Sequence, residues 1–266
     1  MSTPSRHVAS LVEAAPTFES DLGSVAQLAT SNFPILDGMT LKRIVLEPGA
    51  LREPQWNVNS NQIAYVTKGT VLVSMLATGD EFATFLVKTG QMYHVASGAI
   101  YHIENVGEET AEIIAALRTG DPQHFSCQNS VNVMSNAVLG NTYDLPAAAF
   151  EAFPRGDAPQ IIRRTGSASI PANVGLPNAH LFDAEGQIAP LAYPYGHAKL
   201  ARKQVWAALE DLSMYSLNIG GGGMREPHWH PITAELGYVK SGHARMTVLD
   251  PDGTVDTYEL NPGQAY

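Results

Sequence analysis

Short runs of alternating apolar and polar residues dominate this chain, and turns that contain glycine separate them. The segments "IAYVTKGTVLVSML" (63–76) and "LGYVKSGHARMTVLD" (236–250) each predict strand, turn and strand, and "LDPDGTVDTYEL" (249–260) places a Pro-Asp-Gly turn between two extended runs. Helical periodicity is weak except near Leu145–Phe153. Short strands at this spacing predict an all-β protein built as an antiparallel sandwich or barrel.

A long internal repeat organises the chain. The segment "REPQWNVNSNQIAYVTKG" begins at Arg52, and "REPHWHPITAELGYVKSG" begins at Arg225, an offset of 173 residues. The match continues without a gap to Tyr93 and Tyr266, so the turns have the same lengths in both copies. We therefore expect two copies of one domain, over 1–150 and 175–266, joined by a linker over 151–174 that is rich in Gly, Pro and Ser.

Composition narrows the class of protein and of partner. The formal net charge of −10 argues against a nucleic acid or an anionic membrane as partner. The single cysteine excludes an internal disulfide, and the sequence contains no apolar run of membrane-spanning length. We expect a soluble, cytoplasmic protein with a small-molecule partner, and a homo-oligomer is compatible with the sequence.

The second copy carries a cluster of potential metal ligands. His228 and His230 are two residues apart on a predicted strand and share a face, and Glu235 follows a turn at the start of the next strand. Two imidazoles and a carboxylate suit Mn, Fe, Co or Ni better than a structural zinc. The alternative is a pair of histidines satisfied by hydrogen bonds alone.

The spacing of Gly222, His228, His230, Glu235 and Gly242 resembles the first motif of the cupins, and the surrounding sequence is similar to bicupins of the oxalate decarboxylase type. This resemblance implies two tandem cupin barrels, of the double-stranded β-helix or jelly-roll kind, with few short helices. It also implies that His228, His230 and Glu235 bind a first-row divalent metal, with manganese expected first and iron next.

The same resemblance gives Arg225 the catalytic role of holding a substrate carboxylate near the metal. Strict alternation along a strand would turn Arg225 away from His228, and a break in the pleat at Pro227 would be needed to bring both to one face. The alternative is a surface arginine paired with Glu226.

In the first copy, neutral residues occupy the four ligand positions that the family implies, namely Gln55, Asn57, Gln62 and Tyr101. We therefore expect this barrel to hold no metal, and only a shift of one residue would bring in His102. Cys127 in "HFSCQNS" stands where similar oxalate decarboxylases carry the acidic residue of a mobile lid. We expect it to be an inert, buried or half-buried thiol.

The fourth metal ligand of the family, a histidine, comes from a second motif whose counterpart begins at Gly263, three residues before Tyr266. We expect the chain to be a fragment of a longer protein, which leaves the second barrel incomplete at its C-terminal side. Completion by another chain is the alternative.

Three functions are compatible with the sequence, which does not decide whether the protein is an enzyme. The first is a metal-dependent bicupin with oxalate decarboxylase or oxidase-like chemistry on a small carboxylate. The second is a bicupin that binds a small molecule without catalysis. The third is a germin-like metalloprotein that dismutes superoxide.

Overall fold

The computed structural model describes residues 5–77 and 81–266. Strands account for 41% of the chain and helical residues for 7%. The helices are α1 (Cys127–Ser130) and α2 (Asn136–Tyr143), with 3₁₀ turns at Val131–Val133 and Ala147–Phe150. The strands are β1 (Ala9–Ser10), β2 (Pro16–Ser20), β3 (Gly23–Leu28), β4 (Thr40–Leu46), β5 (Ala50–Asn57), β6 (Gln62–Lys68), β7 (Thr70–Leu76), β8 (Phe82–Lys88), β9 (Gln91–Val95), β10 (Ile100–Asn105), β11 (Ala111–Leu117), β12 (His124–Ser126), β13 (Ile161–Arg163), β14 (Leu181–Asp183), β15 (Leu191–Tyr193), β16 (Gly196–Ala201), β17 (Met214–Ile219), β18 (Ala244–Leu249), β19 (Val255–Leu260) and β20 (Gln264–Ala265).

Two antiparallel sheets enclose the core of the first copy. One sheet has the order β12-β5-β10-β7-β8, with β13 also paired to β5, and the other has the order β14-β9-β6-β11-β4-β3-β2. Alternate residues of each strand face inward, as Ile44 and Leu46 do on β4, both fully buried. The all-β fold with few short helices is therefore confirmed.

Residues outside the first copy add strands to its sheets. β13 lies within the predicted linker and pairs with β5, where Ile161 joins the buried core at 2% exposure. β14 pairs with β9, and in the opposite direction β1 pairs with β20 near the end of the second copy. Strand pairing thus crosses the predicted boundaries at 150 and 174, although those boundaries themselves stay a prediction.

The 173-residue offset of the sequence repeat also relates the strands of the two copies. β3 begins at Gly23 and β16 at Gly196, β8 begins at Phe82 and β19 at Val255, and β9 begins at Gln91 and β20 at Gln264. β15, β17 and β18 likewise fall on the counterparts of β2, β4 and β7. The second copy therefore repeats the strand order of the first copy.

The metal-ligand segment departs from this match, and here the sequence-based expectation of two strands is wrong. Among the described residues of 220–243, the only sheet pairing is an isolated bridge between Tyr238 and Ala265. In the first copy, β10, β12 and β13 hold β5, and β9 and β11 hold β6. No such pairing flanks 220–243 among the described residues, so the backbone groups of this segment find no complete ladder of partners.

No helix in the described part of the chain is long and apolar enough to cross a bilayer.

The pairing of β13 with β5 predicts that Ile161 stabilises the first copy. Replacing Ile161 by Ala should lower the free energy of unfolding by about 2–5 kcal/mol, because it removes buried apolar volume from a core that cannot fully collapse around the gap. Urea denaturation of wild type and variant measures the difference. The control is Ile188→Ala at a position that is 95% exposed. Equal unfolding midpoints for the two variants would contradict the assignment of this segment to the core.

Candidate metal centre

The three potential ligands of the second copy converge on one point. Nε2 of His230 lies 2.7 Å from Oε2 of Glu235, and Nε2 of His228 lies 3.4 Å from the same oxygen. One ligand atom from each residue lies within 4.8 Å of the others. The segment has no regular strand pairing, yet it brings together the residues that the sequence singles out.

Hydrogen bonds from neighbouring groups orient both imidazoles. Nδ1 of His228 lies 3.0 Å from the carbonyl oxygen of Glu226. Because a carbonyl only accepts, Nδ1 of His228 donates this hydrogen bond, and Nε2 is the nitrogen that faces Glu235. Nδ1 of His230 lies 3.3 Å from the hydroxyl of Thr233. Such outer partners are typical of metal-binding histidines, so the two nitrogens and the carboxylate fit a divalent first-row ion.

Arg225 lies on the same side as the ligands and contacts one of them. Its Nη1 donates to Oε1 of Glu235 at 2.6 Å, and its Nη2 lies 3.4 Å from Oε2. The ion pair is thus with Glu235 and not with the adjacent Glu226. Burial raises the pKa of Glu235, but hydrogen bonds from Arg225 and His230 outweigh this and hold it below its usual value. The carboxylate is therefore charged at neutral pH.

A cavity of about 250 Å³ opens beside the ligands. Its wall is largely apolar and includes Phe33, Leu36 and Met246. Tyr266 also lines it, and burial, followed by the charge of Glu235, raises the pKa of its hydroxyl. His228, His230 and Glu235 also line the cavity, so the space suits a small ligand whose polar atoms meet these three residues.

In the first copy, a break in register brings the arginine to the ligand face. Tyr101 of β10 is opposite Gln55 of β5, whereas Ile103 is opposite Arg52, so β5 holds one extra residue between the two pairs. Arg52 and Gln55 consequently face the same interior, and Nη2 of Arg52 donates to Oε1 of Gln55 at 3.2 Å. The contact of Arg225 with Glu235 in the second copy is consistent with the same shift in the alternation of inward-facing residues.

The four neutral residues at the first-copy ligand positions meet inside the barrel, each at most 2% exposed. Oε1 of Gln62 accepts from Asn57 at 3.4 Å and from the Tyr101 hydroxyl at 3.2 Å. His102 faces the other way and contacts Glu104, as the strand alternation predicts. These residues offer amides and a phenol, which are poor ligands for a first-row ion. That the first barrel holds no metal stays a prediction.

Sequence reasoning missed a buried lysine in the same barrel. Lys42 is 3% exposed and has no side-chain hydrogen bond or ion pair within the described residues. Burial, reinforced by the charge of Arg52, lowers its pKa from 10.5 to about 7. The signal was present in the sequence, because Lys42 shares the alternation of Ile44 and Leu46 on β4.

Cys127 is more exposed than the sequence predicts. It opens α1 directly after β12 and is exposed, so the prediction of a buried or half-buried thiol is wrong. The helix begins at the N-cap Ser126, whose hydroxyl accepts from the backbone N–H of Asn129. This cap places the side chains of the following residues at the surface.

Two antiparallel sheets, a repeated strand order and a cluster of two histidines and a glutamate in one copy define a β-sandwich protein of the double-stranded β-helix class with a candidate metal centre. The family model of the cupins matches residues 9–149 and 203–266. The chain belongs to the cupin family.

The relatives with assigned activities share low sequence identity with this chain. The chain is 25% identical over 256 residues to an oxalate decarboxylase of Bacillus subtilis, covering 91% of this chain and 64% of the relative. It is 22% identical over 251 residues to a probable oxalate decarboxylase of Arthroderma benhamiae, covering 91% and 62% respectively. The chain therefore spans less than two thirds of the length of these relatives.

A solved structure has a similar fold. A structure from a study of the Mn(II) centres in Bacillus subtilis oxalate decarboxylase superposes with a TM-score of 0.87 at 22% identity, covering 100% of this chain and 71% of that chain. At this identity the likeness establishes the shared fold.

The low pKa of Lys42 predicts how stability changes with pH. Between about pH 7 and 10.5, the unfolded chain holds a proton on Lys42 that the folded chain has released, so stability rises with pH across this window. Lys42→Met removes this dependence and the cost of burying the charge. The variant should be more stable than wild type at pH 7, with an advantage that shrinks as the pH approaches 10.5.

Urea denaturation at pH 7, 8, 9 and 10 measures this difference. Lys88→Met, at an exposed position on β8, is the matched control and should follow wild type at every pH. If the stability of Lys42→Met depended on pH in the same way as that of wild type, the assignment of a lowered pKa to Lys42 would be wrong.

Proposed function

We propose that this cupin is a metal-dependent protein that acts on a small carboxylate by oxalate decarboxylase-like or oxidase-like chemistry at the second copy. The observation that carries the proposal is the convergence of Nε2 of His228, Nε2 of His230 and a carboxylate oxygen of Glu235, with Arg225 at the same point. Manganese is the first candidate, because a relative of the same fold is described by its Mn(II) centres. Iron is the second candidate.

The side chains have separate tasks in this proposal. His228, His230 and Glu235 would hold the ion, with their outer hydrogen bonds fixing which nitrogen faces it. When bound, the ion would supply positive charge and redox chemistry at the carboxylate. The three ligand residues are exposed and the wall of the cavity beside them is largely apolar, so a bound carboxylate would meet the ion at one end and apolar side chains at the other.

Arg225 would hold the substrate. Its guanidinium can form two parallel hydrogen bonds to a carboxylate, and Glu235 already receives such contacts at 2.6 and 3.4 Å. Engagement of Glu235 by a metal would release Arg225 for the substrate. Local charge is needed here, because the formal net charge of −10 does not attract an anion to the surface.

Two other functions use the same ligands differently. A bicupin that only binds a small molecule would hold metal and carboxylate without turnover. A germin-like superoxide-dismuting protein would need the metal and not Arg225. Cys127 stands where the resemblance implies an acidic lid residue, and a thiol is a poor substitute for a carboxylic acid in proton delivery, which favours the second copy as the place of any chemistry.

Metal content tests the ligand assignment. After loading with Mn(II) and dialysis, wild type should retain up to one ion per chain, whereas His228→Ala should lose most of it because two protein ligands hold the ion poorly. Elemental analysis per mole of protein gives the answer. His243→Ala removes an exposed histidine that contacts Asn261 and is the control, expected to match wild type. Equal metal in His228→Ala and wild type would mean that His228 is not a ligand.

The role of Arg225 is tested separately on the Mn(II)-loaded protein. Addition of oxalate should change the Mn(II) electron paramagnetic resonance spectrum of wild type. In Arg225→Met, the oxalate concentration for half of the change should rise about tenfold or more, because a charge-assisted bidentate contact is lost. Oxalate consumption and superoxide dismutation by the same samples separate the three functions. An unchanged oxalate dependence in Arg225→Met would leave the arginine without a substrate role.

A further inference from the structure

Two buried histidines lie face to face on the outer side of the first barrel. His94 is on β9 and is 4% exposed, and His180 comes directly before β14 and is 9% exposed. Their rings are stacked, with an interplanar angle of 3° and centroids 6.3 Å apart. Tyr93 and Val95 belong to the barrel core, so alternation along β9 turns His94 outward. The pair therefore lies apart from the ligand positions of both copies.

The histidines lie where residues of the second copy pack against the first. The backbone N–H of His94 donates to the carbonyl of His180 at 3.0 Å, and three residue pairs join β14 to β9. Trp206 packs edge-on against His94, and its Nε1 donates to the carbonyl of Ala179 at 2.7 Å. We call residues 178–212 the docked segment. An apolar cluster beside the histidines joins this segment to the outer face of the first copy and contains Ile63, Met92, Ala184, Ala201, Trp206 and Leu209.

The surroundings of the two rings suit neutral imidazoles. Nδ1 of His94 and both ring nitrogens of His180 are buried without a hydrogen-bond partner among the described residues. An imidazolium donates from both nitrogens, so protonation adds a buried donor that finds no acceptor. Two charged rings at the stacking distance would also repel each other.

Carboxylates approach the pair from two sides. Oε1 of Glu81, which precedes β8, lies 3.7 Å from Nε2 of His180, but Glu81 is more than half exposed and its charge is screened by water. On the other side, Glu210 and Asp211 of the docked segment act on His94. On β6, the residue opposite His94 is the apolar Ile63.

These carboxylates do not compensate for burial at His94. Asp211 accepts a hydrogen bond from Asn61 at 3.0 Å and pairs with Arg118 at 3.6 Å, so part of its charge is already balanced. Burial, followed by the charge of His180, lowers the pKa of His94 and outweighs the opposite effect of Asp211 and Glu210. A proton on His94 therefore disfavours the docked arrangement.

We propose that His94 and His180 form an acid-sensitive latch, which holds the docked segment on the first copy while the rings are neutral and releases it when they are protonated. In the released state the rings regain water and their ordinary affinity for protons. Below pH 6.5, the released state therefore binds a proton on His94 that the docked state does not hold. Release is favoured as the pH falls, and its equilibrium constant rises by up to about tenfold per pH unit for this one group.

The latch acts on the joint between the copies and leaves the first barrel closed. β14 pairs with β9 over three residues, whereas β4 pairs with β11 over seven. A short pairing at the outer face opens at a lower free energy than a long one in the middle of a sheet. Acid thus changes how the second copy is attached before it affects the fold of the first.

Hydrogen–deuterium exchange of the full chain at pH 7.5, 6.5, 5.5 and 5.0, corrected for the intrinsic effect of pH on exchange, tests the proposal. Below pH 6.5, we expect the amides of 179–184 to lose protection by up to about tenfold per pH unit. The amides of β11 are the internal reference and should stay protected. Unchanged protection of 179–184 down to pH 5.0 would overturn the proposal, and so would an equal loss in both places, which indicates acid unfolding of the whole first copy.

The variant His94→Phe assigns the effect to its group. It keeps an aromatic side chain against Trp206 and removes the titrating ring, so 179–184 should stay protected at pH 5.0. The matched control is His124→Asn, because partial burial, followed by the charges of Lys42 and Arg52, also lowers the pKa of His124, to about 4. His124 is on β12 in the other sheet, and its variant should lose protection as wild type does. A loss in His94→Phe equal to that of wild type, or its absence in His124→Asn, would contradict the latch.

A second variant keeps the test valid if His94→Phe does not fold. His180→Phe removes the like charge beside His94 and the unpartnered ring nitrogens of His180, and it keeps an aromatic ring in the stack. The loss of protection at 179–184 should then depend less steeply on pH than in wild type. The same pH dependence in His180→Phe and wild type would show that the two histidines do not act as a pair.

Discussion

The register break between β5 and β10 is the constraint on which the interior chemistry of the first copy depends. One extra residue on β5 lies between the pairs Tyr101–Gln55 and Ile103–Arg52. Without it, strict alternation would turn Arg52 out of the barrel when Gln55 faces in. The bulge therefore places a permanent positive charge among the ligand positions, and every other residue there must suit that charge.

The two copies balance the arginine in different ways. In the second copy, Glu235 binds Arg225 and also contacts both histidines, so one carboxylate connects the cation with the candidate metal ligands. In the first copy, the corresponding residue is Gln62, and the arginine is left with an amide oxygen. Carboxylate and imidazoles suit a metal cation, whereas amides and a guanidinium suit an anion. The same positions on one scaffold thus present different ligand chemistry in the two copies.

Contacts among side chains, and not strand pairing, hold the candidate site of the second copy together. Six of its strands fall on the counterparts of first-copy strands, but 220–243 lacks the ladder that holds β5 and β6. The side chains of Arg225, His228, His230 and Glu235 nevertheless hold one another through ion pairs and hydrogen bonds. Electrostatic attraction within the cluster supplies an organisation that the backbone pairing does not.

The sequence by itself determined the all-β fold, the repeat and the candidate ligand positions of the two copies, because alternation, turn chemistry and ligand spacing can be read along the chain. The offset of 173 located the strands of the second copy, and His228, His230 and Glu235 were found from their spacing. Only the tertiary structure decided that β13 from the linker joins the first sheet, that Cys127 is exposed, and that Arg52 and Lys42 are buried with no ion pair to a carboxylate among residues 5–77 and 81–266. These features depend on contacts between distant segments and on a bulge that changes the phase of a strand, and neither can be read from alternation along the chain.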